Sequence, residues 1–228
     1  TNCRRPDPLR TFLEPFHGII PARPPVWFMR QAGRYLSEYR ELRKTAPNFL
    51  SFCYSPDLTV EATLQPIRRY GFDAAIMFSD ILVIPDALGQ NVRFEEGVGS
   101  LLDPITDRAG ISALKTDGVL DHLAPVFETL TRLRRELPDE TALIGFAGAP
   151  WTLAFYMIEG RGGVDGGKLK RMAYGQPEDF QALMTVLEES LVAYLCRQVE
   201  AGAEVLQLFD SWSGIADETL FKRWIIEP

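Results

Sequence analysis

The sequence predicts an α/β fold built on a parallel sheet, and three observations carry that reading. Four apolar, strand-length runs stand along the chain: Val26–Met29, Ala74–Ser79, Ala142–Ala147 and Val205–Phe209. Helical patterns separate them, with apolar side chains returning every three or four residues. Strands that alternate with helices pair in parallel through right-handed crossovers. Four such units make half of a (β/α)8 TIM barrel, a fold that takes about 250 residues. The 228 residues are therefore expected to form one domain, 1–228, supplying about the first half to two-thirds of a barrel. The chain starts without a methionine and ends within a helical pattern, so it reads as a portion of a longer product.

The first run, Val26–Met29, stops at Arg30 and Arg34, which flank a small-residue turn at Ala32-Gly33. Residues 57–69 place Leu58, Val60, Ala62, Leu64 and Ile67 at helical positions. The second run closes on Ser79-Asp80. Residues 89–110 form an excursion, with a small hairpin expected around Val92-Arg93-Phe94. Residues 118–137 read as one helix. After the third run, Gly148-Ala149-Pro150 leads into a helix over Trp151–Ile158, with proline at its entry. Residues 160–167 are glycine-rich but lack the GK[ST] ending of a phosphate cradle, so they read as a mobile lid or connector. A long helix is expected over 178–200. The last run ends in Asp210-Ser211.

Composition narrows the function. A chain that is 46% hydrophobic and 24% charged can bury a sizeable core. A net charge of −7 argues against nonspecific nucleic-acid binding, which needs a cationic surface. No apolar run approaches the ~20 residues that cross a bilayer, and residues 1–10 lack the apolar core of a secretory signal, so a cytoplasmic protein with no membrane partner is expected. Cys3, Cys53 and Cys196 fit neither a disulfide framework nor a metal knuckle and are expected as thiols. His17 and His122 read as surface or capping residues. Neither lies in a cluster of metal-ligand spacing, so no metal is expected.

Ligands in such folds bind beyond the carboxyl ends of the strands, so the polar residue after each run is the first suspect. Two guanidiniums four residues apart suit a ligand with several carboxylates or phosphates, although each could instead close a structural ion pair. Asp80 lies between apolar runs; it either caps the following turn or serves a site. Tyr156 either packs in the core or presents its hydroxyl. Ser211 either caps the next helix or faces the ligand, and Asp210 either points inward or pairs with an arginine. Arg40 reads as a solvated helix charge, Arg68 and Arg69 as structural, and Arg132, Arg134 and Arg135 as a solvated helix face.

The run Pro25-Val26-Trp27-Phe28-Met29-Arg30-Gln31-Ala32-Gly33-Arg34-Tyr35 resembles the arginine-bearing signature of the uroporphyrinogen decarboxylase family. A second stretch, Gly145-Phe146-Ala147-Gly148-Ala149-Pro150-Trp151-Thr152-Leu153 with Tyr156 and Glu159-Gly160, resembles the other signature of the same family, in the right order. The resemblance implies a TIM barrel, a homodimer, and cofactor-independent decarboxylation of the four acetate side chains of uroporphyrinogen to methyl groups. It implies that Asp80, within Phe78-Ser79-Asp80-Ile81-Leu82, accepts hydrogen bonds from pyrrole N–H groups. It also implies that Arg30 and Arg34 clamp carboxylates and that Tyr156 faces the substrate near Asp80. Gln31, Ala32, Gly33, Arg43, Phe78, Phe209 and Ser211 complete the implied substrate site, while a family histidine lies beyond Pro228. Two rivals remain: a zinc- or corrinoid-dependent methyltransferase on a related barrel, whose ligands this sequence does not supply, and a noncatalytic tetrapyrrole-binding fragment.

Overall fold

The computed structural model describes residues 10–95 and 97–228; Cys3 and its expected thiol lie outside them. The strands are β1 (Ala74–Ile76), β2 (Val92–Glu95), β3 (Gly99–Leu102), β4 (Ala142–Gly148) and β5 (Val205–Phe209). The helices are α1 (Ser37–Lys44), α2 (Phe49–Cys53), α3 (Pro56–Tyr70), α4 (Val83–Ala87), α5 (Arg108–Ser112) and α6 (Val119–His122), followed by α7 (Ala124–Glu136), α8 (Pro150–Glu159), α9 (Gly167–Gly175), α10 (Pro177–Glu200) and α11 (Glu218–Phe221). β1, β4 and β5 form a parallel sheet in the order β1-β4-β5, with Ala74 opposite Ala142 and Ile144 opposite Val205. β2 and β3 form the expected hairpin.

Strand alternation divides the sheet into two faces. Ala75, Met77 and Leu143 belong to the main core with Leu64, Leu130 and Leu187 of α3, α7 and α10. The opposite face carries Ala74, Ala142 and Ile144, closed at its lower end by Phe12 and Trp27. Glu204 ties the same end of the sheet: one carboxylate oxygen accepts from Leu143 N–H at 3.0 Å and from Arg134 at 2.7 Å, and the other meets Arg10. Arg134 is thus part of a network rather than of a solvated face.

The first predicted strand does not form. Val26–Met29 runs beside β1, but one backbone bond joins them, from Asp73 N–H to Val26 O at 3.0 Å. Pro24 and Pro25 bring no donors. Side chains do the joining instead. Asp73 accepts from Val26 N–H at 2.7 Å and from both ends of the Arg23 guanidinium at 2.7 and 2.6 Å. Gln31, 2% exposed, accepts from Phe28 N–H and donates to Ala74 O at 3.1 Å.

The Arg23 hydrogen bonds, with help from Val26 N–H and against partial burial, hold the Asp73 carboxyl below its ordinary pKa. Such a group stabilises the native state above its unfolded pKa, and that contribution drains as pH falls through the lowered native value. Amide exchange at Val26, corrected for its intrinsic pH dependence, is therefore expected to accelerate on acidification. Asp73→Asn should show fast exchange already at pH 7 and lose most of the pH response; an unchanged response would reject the pair as the latch.

Two further departures have local causes. The predicted helix over 118–137 splits into α6 and α7 at Leu123, because Pro125 opens α7 and cannot continue a helix from upstream. The run Ala74–Ser79 is a strand only to Ile76. Met77 N–H still donates to Ile144 O, but Phe78 N–H turns to Thr63 Oγ1 at 2.8 Å, so β1 leaves the sheet. Even-numbered residues of β4 face β1, as the bonds at Ala142 and Ile144 show, which leaves the amide and carbonyl of Phe146 without a strand partner. Gln198 of α10, fully buried, takes both: Phe146 N–H donates to its Oε1 and its Nε2 donates to Phe146 O, each at 2.9 Å. The divergence of β1 from β4 opens the cleft described next.

Candidate active-site cleft

At the carboxyl ends of the strands lies a cleft of about 250 Å³. Ile76, Phe146 and Phe209, alternate residues of three strands, give it an apolar floor. Phe146 and Phe209 meet edge to face at 5.7 Å between ring centres. Phe94 and Ser100, paired across the hairpin, form one wall, and Phe94 is anchored on Phe49 of α2 at 4.8 Å. Polar groups enter from Arg30, Ser79, Asp80, Tyr156 and Ser211.

Arg30 is the one non-glycine residue with a left-handed backbone among the described residues, at φ 59°. That conformation is costly for a residue that carries a Cβ and persists where neighbours enforce it. They do so here: Gln31 N–H donates to Phe28 O, Leu36 N–H to Gly33 O, Tyr35 OH to Gln31 O, and Arg40 to Arg34 O at 2.8 Å. Arg40, expected as a solvated charge, thus braces the turn. Gly33, placed in the implied substrate site by the resemblance, has an ordinary φ; an added Cβ would sit 3.6 Å from its nearest neighbour, and Gly33 does not line the cleft.

Asp80 follows β1 where the chain leaves the sheet. Its Oδ1 accepts from Leu82 N–H at 2.9 Å, the turn-capping role, and Asp80 lines the cleft. Burial pushes its pKa up, opposed by the Leu82 amide and by the positive charge of Arg30. Asp80 thus caps the turn and also lines the cleft.

Tyr156 projects from α8 into the cleft, its ring edge-on to Trp212, which stacks on Phe155 at 3.9 Å. The glycine-rich segment packs over it: a Cβ on Gly162 would lie 3.4 Å from the Tyr156 hydroxyl. Leu102 N–H donates to Gly160 O at 2.7 Å and Leu101 bridges Arg161, so this segment is a connector fastened to the hairpin. Asp210 pairs with neither arginine nor cleft; it accepts from Thr152 Oγ1 at 2.6 Å, and Thr152 accepts from Trp212 N–H. That relay joins the end of β5 to the start of α8 and leaves Ser211 on the rim.

Of the expected site residues, Arg30, Gln31, Ala32, Phe78, Asp80, Tyr156, Phe209 and Ser211 line the cleft, and Gly33, Arg34 and Arg43 do not. Arg34 is exposed and has no ion pair among the described residues. Arg43 donates to Ala46 O at 3.1 Å and lies over the Phe49 and Phe52 rings, a helix-end role. His122, read as a surface or capping residue, is exposed and shares Asp86 Oδ2 with the Tyr54 hydroxyl. Phe146 and Gln198 were not singled out. Phe146 stands within the second signature, whereas nothing near Gln198 in sequence marks its partner. No group of three His, Cys, Asp or Glu side chains among the described residues is arranged to hold a metal, and no helix is long and apolar enough to cross a membrane.

The family model described as uroporphyrinogen decarboxylase matches residues 7–228, a span that contains the whole cleft. The chain belongs to the uroporphyrinogen decarboxylase family. Proteins named uroporphyrinogen decarboxylase from Sinorhizobium fredii and Brucella anthropi are each 58% identical over 219 residues, and one from Rhodospirillum rubrum is 53% identical over 219. Each alignment covers 96% of this chain, and the chain spans 63–64% of those relatives' length. A solved methyltransferase from Methanosarcina mazei superposes with a TM-score of 0.75 at 15% identity, over 93% of this chain and 62% of that one, which is a likeness of fold. As in the family's two signatures, the arginine turn and the end of β4 meet at one rim here, across the gap that β1 leaves.

Proposed function

We propose that this chain is the N-terminal portion of a uroporphyrinogen decarboxylase, one domain of a (β/α)8 barrel, acting in the cytoplasm as a homodimer on a polycarboxylated tetrapyrrole. The observation that carries the reading is the convergence of Arg30, held in a left-handed turn, and a desolvated Asp80 on one cleft with an aromatic floor. Family membership and relatives of that name support it.

The reaction replaces a carboxylate on a pyrrole CH2 by a proton. Protonation of the adjacent ring carbon makes the pyrrole an electron sink, CO2 leaves, and the resulting methylene takes up a proton as the ring loses one. The substrate supplies its own sink, so the protein's tasks are to grip the acid groups, deliver protons and stabilise a transient cation. Arg30 fits the first task, with Arg34 as an outer member of the same clamp; arginine holds its proton too tightly to be the acid. Asp80 fits the last. Its carboxylate sits in a low-dielectric cleft, where a fixed charge acts strongly on a forming cation. Tyr156 and Ser211 orient the ring by hydrogen bonds, and Phe78 and Phe209 pack its faces.

The test is CO2 release from uroporphyrinogen by the complete gene product, with Arg30→Ala beside it. Removing a charge-assisted clamp should raise KM about 10–100-fold for the octacarboxylate. The change should be smaller for a porphyrinogen carrying four acid groups. Absence of CO2 release by the complete protein, or equal changes for both substrates, would overturn the reading.

A further inference from the structure

A hydroxyl can align a bound ring only if its own backbone is held, and Ser211 is an exposed residue on the cleft rim, just past the end of β5. The bonds that hold it come from the residues on either side. Asp210 Oδ1 accepts from Thr152 Oγ1 at 2.6 Å, and Thr152 Oγ1 accepts from Trp212 N–H at 3.0 Å. Trp212 O accepts from Trp151 Nε1 at 3.0 Å, and Phe209 O accepts from Ala149 N–H at 2.8 Å. Ser211 is thus the residue left free between two neighbours fastened to the first turn of α8.

Thr152 sets the direction of the relay. A threonine hydroxyl has one proton; its oxygen is taken up with Trp212 N–H, so the proton goes to Asp210. Thr152 is fully buried, and a partner lost there leaves a polar group stranded rather than returned to water. Tyr156 depends on the relay less, because the backbone of α8 is held by its own helical bonds. The geometry points to Asp210 as a positioning residue: acting through Thr152, it fixes the backbone of residues 210–212 and so keeps the Ser211 hydroxyl over the substrate. This rests on the function proposed above, in which Ser211 orients the ring.

In the complete gene product, Ser211→Ala and Asp210→Ala are each expected to lose about 3–10-fold in kcat/KM for uroporphyrinogen, the worth of one neutral hydrogen bond. The loss should fall mostly on KM, because such a bond serves ground state and transition state alike. Asp210→Asn keeps the Oδ1 acceptor and should stay within about twofold of the parent. Thr152→Val, which keeps the shape and removes the hydroxyl, should match Asp210→Ala and takes its place if Asp210→Ala does not fold. A clamp that served stability alone would not couple to Ser211. In a Ser211→Ala background, the relay variant should cost less than about twofold more, measured where circular dichroism shows both proteins folded.

A full further loss in that background would overturn the inference, as would parent-like kcat/KM in both Asp210→Ala and Thr152→Val; CO2 release by the parent would leave the proposed function standing in either case. Parent-like kcat/KM in Ser211→Ala would overturn it too, since Asp210 would have nothing to position. A parent protein that releases no CO2 would overturn the function and, with it, the role given to Asp210.

Discussion

Asp80→Asn in the complete protein is expected to lower kcat by about 10²–10³-fold, the range seen when one preorganised charge-stabilising group is lost, without lowering Tm. The two expectations share a cause. A carboxyl whose pKa is raised by burial favours the folded state when protonated, and that preference is lost as pH rises through the native value. At neutral pH the ionised Asp80 is therefore a burden on the fold, and its neutral isostere is not. The same logic fixes the pH profile. The acid limb of kcat/KM should lie above the ordinary aspartate value and disappear in Asp80→Asn. Arg30 opposes the upward shift, so Arg30→Ala should move the limb further up. Unchanged turnover in Asp80→Asn, or a limb that moves down on loss of Arg30, would remove Asp80 from the chemistry.

How far the sequence discloses this arrangement depends on the range of the interactions involved. Ala142–Ala147 is a strand as expected, because a buried parallel strand is apolar along its length and leaves that mark in sequence, and Val205–Phe209 pairs with it as the edge strand, its Leu206 and Leu208 exposed. Val26–Met29 has the same mark without the structure, since the prolines before it and the side chains of Asp73 and Gln31 replace a strand ladder with discrete bonds. The split at Leu123 was legible in Pro125 and was outweighed by periodicity on either side. The cleft follows a similar rule. Residues at strand ends, such as Asp80, Phe209 and Ser211, are found by position alone, and Arg30 by its signature. Arg43 lies on the helix after that signature and directs its charge to the end of α1, where Phe49 and Phe52 offer their rings to it. Gly33 carries no positive φ, and the left-handed position of this turn falls on Arg30 instead, which no propensity would select.

Gln198 is the longest-range case, and its loss should bring the largest change in stability. Gln198→Ala is expected to destabilise the protein by at least about 2–6 kcal/mol, from two backbone groups left unpaired in the core at about 1–3 kcal/mol each, with a cavity term on top. No other strand can take up the pair, since β1 has left the sheet at Met77. Gln198→Glu should fall between, because a carboxylate can accept from Phe146 N–H but cannot donate to Phe146 O. Gly145 supplies an independent check. A Cβ there would collide with Gln198 Oε1 and come within 3.0 Å of Ala203 Cβ, so Gly145→Ala should expel the same amide from the same place. Both substitutions then remove one interaction, and the double variant should cost clearly less than the sum of the singles in denaturant unfolding. Additive losses would mean that Gly145 is held for some other contact. The contribution of Gln198 reaches past stability, because the Phe146 it fixes is also the floor of the cleft: a Gln198→Ala protein that still folds should bind the tetrapyrrole more weakly while its Asp80 pH limb stays in place.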